Sequence, residues 1–397
     1  MKVTEIDTIR SAEHPNLLWV EVHTDEGITG LGETFYGPAA AEGHIHGTIA
    51  PYLIGKDPCQ IEAHQAHLTG YIGFAGASAE MRGRSAVDIA LWDILGQAKG
   101  MALCDLLGGR VRDKIKVYNT CAGFSYVQDK ATQGTANFGL TSRKGQYEDL
   151  DAFLNRADEL AHSLLEMDID AMKIWPLDYA AEASSGYWIS NADLKKGLEP
   201  FEKIRKAVGD KMEVAYELHS LWSRPQAIKI AQALEEFRPM WVEDPVFMDH
   251  MNSIGEVARA TQSPIAVGET RGGRADFRYL LELEALSMVI MDVAWCGGVS
   301  EAKKIATMAE TISDAGCLSR LHGTGGLDGV DTSGTQRAQL LGAEIVRAFY
   351  YGWYHQYLGP LPTIEKGMIT DSRDRELGSK LLPDVKKRPG VSVKKSD

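Results

Sequence analysis

Three glutamates recur in this chain at one interval. Glu217 stands in the run VAYELH, Glu243 in WVEDP and Glu269 in IAVGET, with 26 residues from each to the next. Each acid closes a short, β-rich run, so successive parallel strands would bring the three carboxylates to one end of a sheet. A single glutamate in such a place is most often a solvated loop acid. Three in succession are not explained that way, because like charges at close range repel unless a cation neutralises them. Oxygen ligands with room left for water and substrate suit a hard cation such as Mg²⁺, for which Glu217, Glu243 and Glu269 are the candidate ligands.

Further acid–base candidates stand beside them. Asp292 ends the sixth β-rich run and His322, in LHGTGG, the seventh. A carboxylate bonded to one ring nitrogen fixes the tautomer and leaves the other nitrogen to take a proton, which makes His322 the candidate base. Without such a partner a histidine there is more often structural. His219 follows Glu217 by two residues, so strand alternation points both side chains to one face. It is either a second proton-transfer group or a histidine lining the rim. Lys173, two residues before Trp175, is expected either to meet a substrate carboxylate or to neutralise the glutamates, with Trp175 as a neighbouring substrate-binding candidate.

These residues need a scaffold that sets them at one height, and the pattern of runs supplies it. From about Lys116, β-rich runs alternate with helical stretches: Val117–Cys121, Ala171–Trp175, Val214–Leu218, Trp241–Glu243, Ile265–Glu269, Met288–Asp292, Leu318–His322 and Ile345–Phe349. Eight βα units fit an α/β fold with a (β/α)8 TIM-type barrel, which takes around 250 residues. Before it, residues 1–35 read as an antiparallel sheet, with Leu17–Thr24 turning at Asp25-Glu26-Gly27, and Ser85–Gly100 as a helix with a broad apolar face. The expected organisation is an α+β capping domain over 1–114, a barrel over 115–359 and a tail, 360–397, that returns to complete the capping domain. Leu177–Lys196, bearing Tyr179, Tyr187 and Trp188, is a long insertion after the second strand, placed to close over the site.

Composition excludes several classes. Hydrophobic residues at 44% and charged residues at 24% are ordinary for a globular protein. No stretch is apolar enough for a membrane helix and the first residues alternate like a strand, so a cytoplasmic location is expected. Five cysteines without paired spacing indicate neither a disulfide framework nor a zinc site. A net charge of −13 argues against nucleic acid and anionic membrane as partners, and leaves a small carboxylate substrate dependent on positive charge within the site. The glycines of Gly272-Gly273 and Gly323-Thr324-Gly325-Gly326 lack the spacing of nucleotide-binding loops. His44 and His46 are either a loop reaching over the barrel or a surface pair.

The helix SAVDIALWDILG at Ser85–Gly96, LLGG at Leu106–Gly109 with Arg112, and the segments around Glu217, Glu243-Asp244-Pro245 and Gly268-Glu269 together resemble the mandelate racemase/muconate lactonizing enzyme family of the enolase superfamily. The resemblance covers nearly the whole chain. It implies one essential Mg²⁺, removal of the proton beside a substrate carboxylate by a His-Asp dyad matching His322 and Asp292, and a homo-oligomeric assembly. Relatives often carry two lysines on the second strand; Lys173 matches the first and Trp175 replaces the second, which disfavours a two-base racemase. The Glu217/His219 pair is similar to that of acid-sugar dehydratases, galactonate dehydratases in particular, where a histidine protonates the departing hydroxyl.

That resemblance implies dehydration of an aldonic or aldaric acid to a 2-keto-3-deoxy acid. The alternatives are one-base epimerisation or cycloisomerisation, or a metal-binding homologue without turnover. Two departures stand out. Glu217 occupies a place where the family usually has aspartate, moving the carboxylate by about 1.5 Å. On the eighth strand the glutamate that relatives carry is not matched near Phe349, Glu344 being the nearest.

Overall fold

The computed structural model describes residues 1–69, 76, 78–126, 128, 134–138, 140, 145–312, 316–320, 340–370 and 378–397. The N-terminal sheet runs β1 (Val3–Ser11), β2 (Leu17–Thr24) and β3 (Thr29–Phe35), antiparallel throughout. Its far edge is taken by Val391–Ser396, which pairs with β1 from Ile6 opposite Ser396 to Ser11 opposite Val391. The chain's last strand therefore closes the sheet begun by its first.

The helix Ala79–Lys99 lies across β3, and the approach is close because two strand positions have no side chain. A Cβ on Gly30 would sit 2.0 Å from the carbonyl oxygen of Ala90, and one on Gly32 would sit 1.8 Å from that of Ala86. The same helix docks the N-terminal unit onto the barrel. Asp88 accepts from the backbone N–H and hydroxyl of Ser300 at 3.0 and 2.7 Å, and the hydroxyl of Ser85 accepts from the N–H of Gly297 at 2.9 Å. The indole of Trp92 donates to the Ser300 hydroxyl. Asp88 thus satisfies a free N–H in the first turn of helix Gly298–Ile312, as an N-capping carboxylate does, but from another domain. Part of the SAVDIALWDILG run is accordingly a docking surface.

Eight parallel strands form the barrel: β4 (Ile115–Thr120), β5 (Ala171–Ile174), β6 (Glu213–Glu217), β7 (Val242–Glu243), β8 (Ile265–Val267), β9 (Met288–Asp292), β10 (Gly316–Arg320) and β11 (Leu340–Ile345). Each pairs with the next, and β11 pairs with β4 through Ala343–Val117, Glu344–Tyr118 and Ile345–Asn119, so the sheet closes on itself. Helices on the outside bury their apolar faces against the strands. The inner layer below the site alternates large and small, with Tyr118 and Trp241 edge-to-face at 5.2 Å among Ala171, Ala215 and Ala266. A barrel this size fills in that way rather than remaining a pore.

One element departs from the sequence reading. The eighth strand lies at Leu340–Ile345, not at Ile345–Phe349, and residues Arg347–Tyr350 form a helical turn. Arg347 is a buried residue that forks onto Asp149 at 2.6 and 2.7 Å, which draws the chain outward immediately after the strand. The shift carries Glu344 from a position before the strand into the strand itself. The seventh strand is described over Gly316–Arg320, and His322 lies outside the described residues. No helix among the described residues is long and apolar enough to cross a membrane.

Candidate active site

The ends of β6, β7 and β8 bring the three glutamates together. Glu217 and Glu243 lie opposite each other in the β6–β7 register, Glu269 follows β8 by two residues, and carboxylate oxygens of all three fall within 4.8 Å of one another. Glu217 and Glu243 are fully buried and Glu269 is 7% exposed. Lys173, on β5, points into the same cluster: its ammonium lies 2.6 Å from Glu243, 3.1 Å from Glu217 and 3.4 Å from Glu344. Of its two expected roles, neutralising the acids is the one its contacts express.

Glu344, set aside on sequence grounds, is part of the cluster. It accepts hydrogen bonds from Tyr118 at 3.0 Å and Thr120 at 2.5 Å, and from Lys173. The signal for it was available, since an acid inside an otherwise apolar strand of a barrel must face inward or outward, and only the register decides which.

Three carboxylates around one ammonium, with Glu269 beside two of them, leave an excess of negative charge. Burial opposes the charge on Lys173, but Glu243, Glu344 and Glu217 overcome it and hold its pKa well above the usual lysine value. Burial also works against the charge of Glu217, yet Lys173 and His219 take its pKa down to about 2. Burial and the charge of Glu217 push Glu243 well above the carboxylate range. The buried Oε2 of Glu217 accepts no well-aligned hydrogen bond, although the Lys173 ammonium stands 3.1 Å from it. An additional divalent cation among Glu217, Glu243 and Glu269 fits this arrangement, because it removes the repulsion that otherwise keeps one of the acids protonated.

His219 reaches the site by a different route from the one the sequence suggested. β6 ends at Glu217, and His219 sits in the following turn at φ +49°, so strand alternation does not carry it. Its backbone N–H donates to Glu217 at 2.8 Å, while its Nδ1 lies 2.7 Å from Oδ2 of Asp178. Asp178 opens the short helix Asp178–Ser184 within the insertion after β5. That partner was missed in the sequence, since nothing local connects the two. Burial works to lower the His219 pKa, but Asp178 and Glu217 outweigh it and raise the value. The Trp175 ring stands against His219 at 5.5 Å, and its indole nitrogen is buried without a hydrogen-bond partner among the described residues.

Above the cluster is a cavity of about 620 Å³, lined by Lys173, Trp175, Asp178, His219, Asp244 and Glu269 from the barrel and by Tyr36 and Arg82 from the capping domain. Tyr36 belongs to the Phe35–Pro38 loop, whereas Arg82 was not singled out in the sequence. The insertion contributes Tyr187 to the cavity edge, beside Phe247 at 5.9 Å, while Trp188 turns towards Lys229. Asp292 ends β9 fully buried, accepting from the N–H of Ala294 at 2.8 Å, with its pKa pushed well up by burial. The expected His322 partner of Asp292 falls outside the described residues. His46 hydrogen-bonds Thr8 and Ser396 within the N-terminal unit, away from the cavity.

Residues 5–108 match the N-terminal domain profile of mandelate racemase / muconate lactonizing enzyme, and residues 156–394 match the enolase C-terminal domain-like profile. A D-galactonate dehydratase of Ralstonia pickettii is 30% identical over 315 residues, covering 78% of this chain and 72% of the relative. That of Pectobacterium atrosepticum is 31% identical over 313 residues with the same coverage. Among solved structures, an enolase of the mandelate racemase subgroup from Agrobacterium tumefaciens is 45% identical, with a TM-score of 0.86, covering 100% of this chain and 99% of the other.

Proposed function

Since the chain belongs to the mandelate racemase/muconate lactonizing enzyme family of the enolase superfamily, we propose that it is a Mg²⁺-dependent acid-sugar dehydratase, converting a polyhydroxy acid to a 2-keto-3-deoxy acid. The observation that carries this reading is the buried three-glutamate cluster with His219, bonded to Asp178, at its edge beneath one cavity.

Glu217, Glu243 and Glu269 would hold a Mg²⁺ ion, which would supply positive charge to stabilise the enediolate oxygens. The chain's own residues do the rest. In this reading His322, with Asp292 as the partner of its second nitrogen, would take the α-proton, the C–H electron pair forming the C=C bond to the carboxylate carbon as the carbonyl π pair moves onto oxygen to give the enediolate. His219, its Nδ1 fixed by Asp178, gives a proton from its other nitrogen to the β-hydroxyl, so the C–O bond breaks with loss of water. The enol that remains tautomerises to the 2-keto acid. Lys173 offsets part of the glutamates' charge and holds them in place, and Trp175 walls the site beside His219. A positioned base supplies roughly 10²–10⁴-fold, so electrostatic stabilisation of the enediolate has to provide the larger share.

The test is incubation with Mg²⁺ and a panel of aldonic and aldaric acids, scoring 2-keto acid formation together with exchange of the α-hydrogen in deuterated water. Product formation supports the reading. Exchange without loss of water would replace it by one-base epimerisation or cycloisomerisation.

A further inference from the structure

The cavity holds three basic side chains among the described residues: Lys173, His219 and Arg82. Lys173 has three glutamates and His219 has Asp178. Arg82 has no ion pair with any described carboxylate, and its Nε is buried without a hydrogen-bond partner. It stands near the start of helix Ala79–Lys99, with its guanidinium carbon 4.4 Å from the ring centroid of Trp295 on the loop after β9. A guanidinium packed against an aromatic ring still has N–H donors at its edge with which to meet a planar anion. A guanidinium withdrawn from water without a counter-charge is costly, and burial lowers its pKa against the pull of Asp292 and Tyr36.

We propose that Arg82 binds a second anionic terminus of the substrate, and that the substrate is therefore an aldaric acid, a sugar-derived dicarboxylate, rather than an aldonic acid. This assignment rests on the dehydratase reading. One carboxylate goes to the glutamate end of the cavity, and the other, at the far end of the carbon chain, meets Arg82 as a forked, charge-assisted pair. Aldonic acids offer a neutral hydroxymethyl group there. In a chain of net charge −13, whose cavity also carries Asp178, Asp244 and Glu269, a dianion needs this cation at its distal end.

The experiment is calorimetric titration of the full chain, with Mg²⁺ present, using matched pairs of monoacid and diacid that cover the hexose stereochemistries, such as gluconate with glucarate and galactonate with galactarate. The wild type should bind the diacid of at least one pair about 10–100-fold more tightly than its monoacid, the usual weight of charged hydrogen bonds. Arg82→Met should remove most of that preference, and Arg82→Lys should retain part of it, because lysine keeps the charge but not the fork. Circular dichroism and a thermal melt of both variants establish that they fold. If no diacid outbinds its partner, or if folded Arg82→Met keeps the preference, the proposal is overturned. A terminally phosphorylated aldonate bound more tightly than the diacid, through Arg82, would overturn the carboxylate assignment. Failure here with dehydration of aldonates intact would leave the dehydratase reading standing; Arg82-dependent diacid binding without any keto product would do the reverse.

Discussion

The Nδ1 of His219 and Oδ2 of Asp178 lie 2.7 Å apart although 41 residues separate them, and they come from different βα loops. In the proposed mechanism, proton transfer through the other ring nitrogen would depend on that contact, which fixes ring orientation and tautomer. His219→Asn is expected to lower dehydration by roughly 10²–10⁴-fold while α-hydrogen exchange in deuterated water survives. Asp178→Asn should cost less, about 10-fold, and mainly in kcat. Keto-acid formation and exchange followed by proton NMR check both. Equal loss of dehydration and exchange in His219→Asn would move this histidine to the α-proton step.

Lys173 is fully enclosed by Glu217, Glu243 and Glu344. Removing one partner of a buried ionic network typically costs about 3–5 kcal/mol, because charge is left uncompensated. Lys173→Met should destabilise the fold by that order in denaturant titrations, and millimolar Mg²⁺ should recover part of the loss. A variant as stable as the wild type would mean that the glutamates are neutral in the folded chain.

Metal binding should itself stabilise the protein. A ligand at 100 times its Kd adds about 2.7 kcal/mol. Mg²⁺ should therefore raise the wild-type Tm, and Glu269→Gln should reduce or abolish that rise while keeping the melting transition cooperative. An undiminished rise in Glu269→Gln would remove this residue from the ligand set.

Asp88 links the capping domain to the barrel and is fully buried, which raises its pKa from 3.8 to about 6. Folding thus favours the protonated carboxyl. Its contribution to stability is complete below pH 3.8, where both folded and unfolded forms hold the proton, and is lost as pH rises through about 6. The gap is worth about 3 kcal/mol. Asp88→Asn should flatten the stability curve between those limits by that order, in denaturant titrations at pH 4 and pH 7. An unchanged difference would show that the carboxyl titrates normally in the fold.

At Gly32 any Cβ collides with the backbone of the helix Ala79–Lys99 at Ala86. Neither element yields easily, so Gly32→Ala should cost at least the 1–3 kcal/mol of ordinary overpacking. Thermal melting measures it. A loss below 0.5 kcal/mol would mean that the helix rides higher over β3 than described.

The triad of glutamates was legible in the sequence because a parallel barrel turns linear periodicity into position. Strands ending in the same residue type at equal intervals finish on one rim, so Glu217, Glu243 and Glu269 converge without any side-chain detail being known. Alternating runs likewise gave β2, most of β3 and, within a few residues, the first six barrel strands. Three features were not local. Glu344 entered the site because the eighth strand starts earlier than its apolar residues suggested, with Arg347 drawn out to Asp149. Asp178 became the partner of His219 because two loops adjoin at the rim, and Arg82, one turn before the helix that the sequence reading began at Ser85, faces Trp295 because Asp88 and Ser85 seat that helix on the barrel. Periodicity fixes which residues share a face within an element; which faces meet is decided by packing between elements distant in the chain.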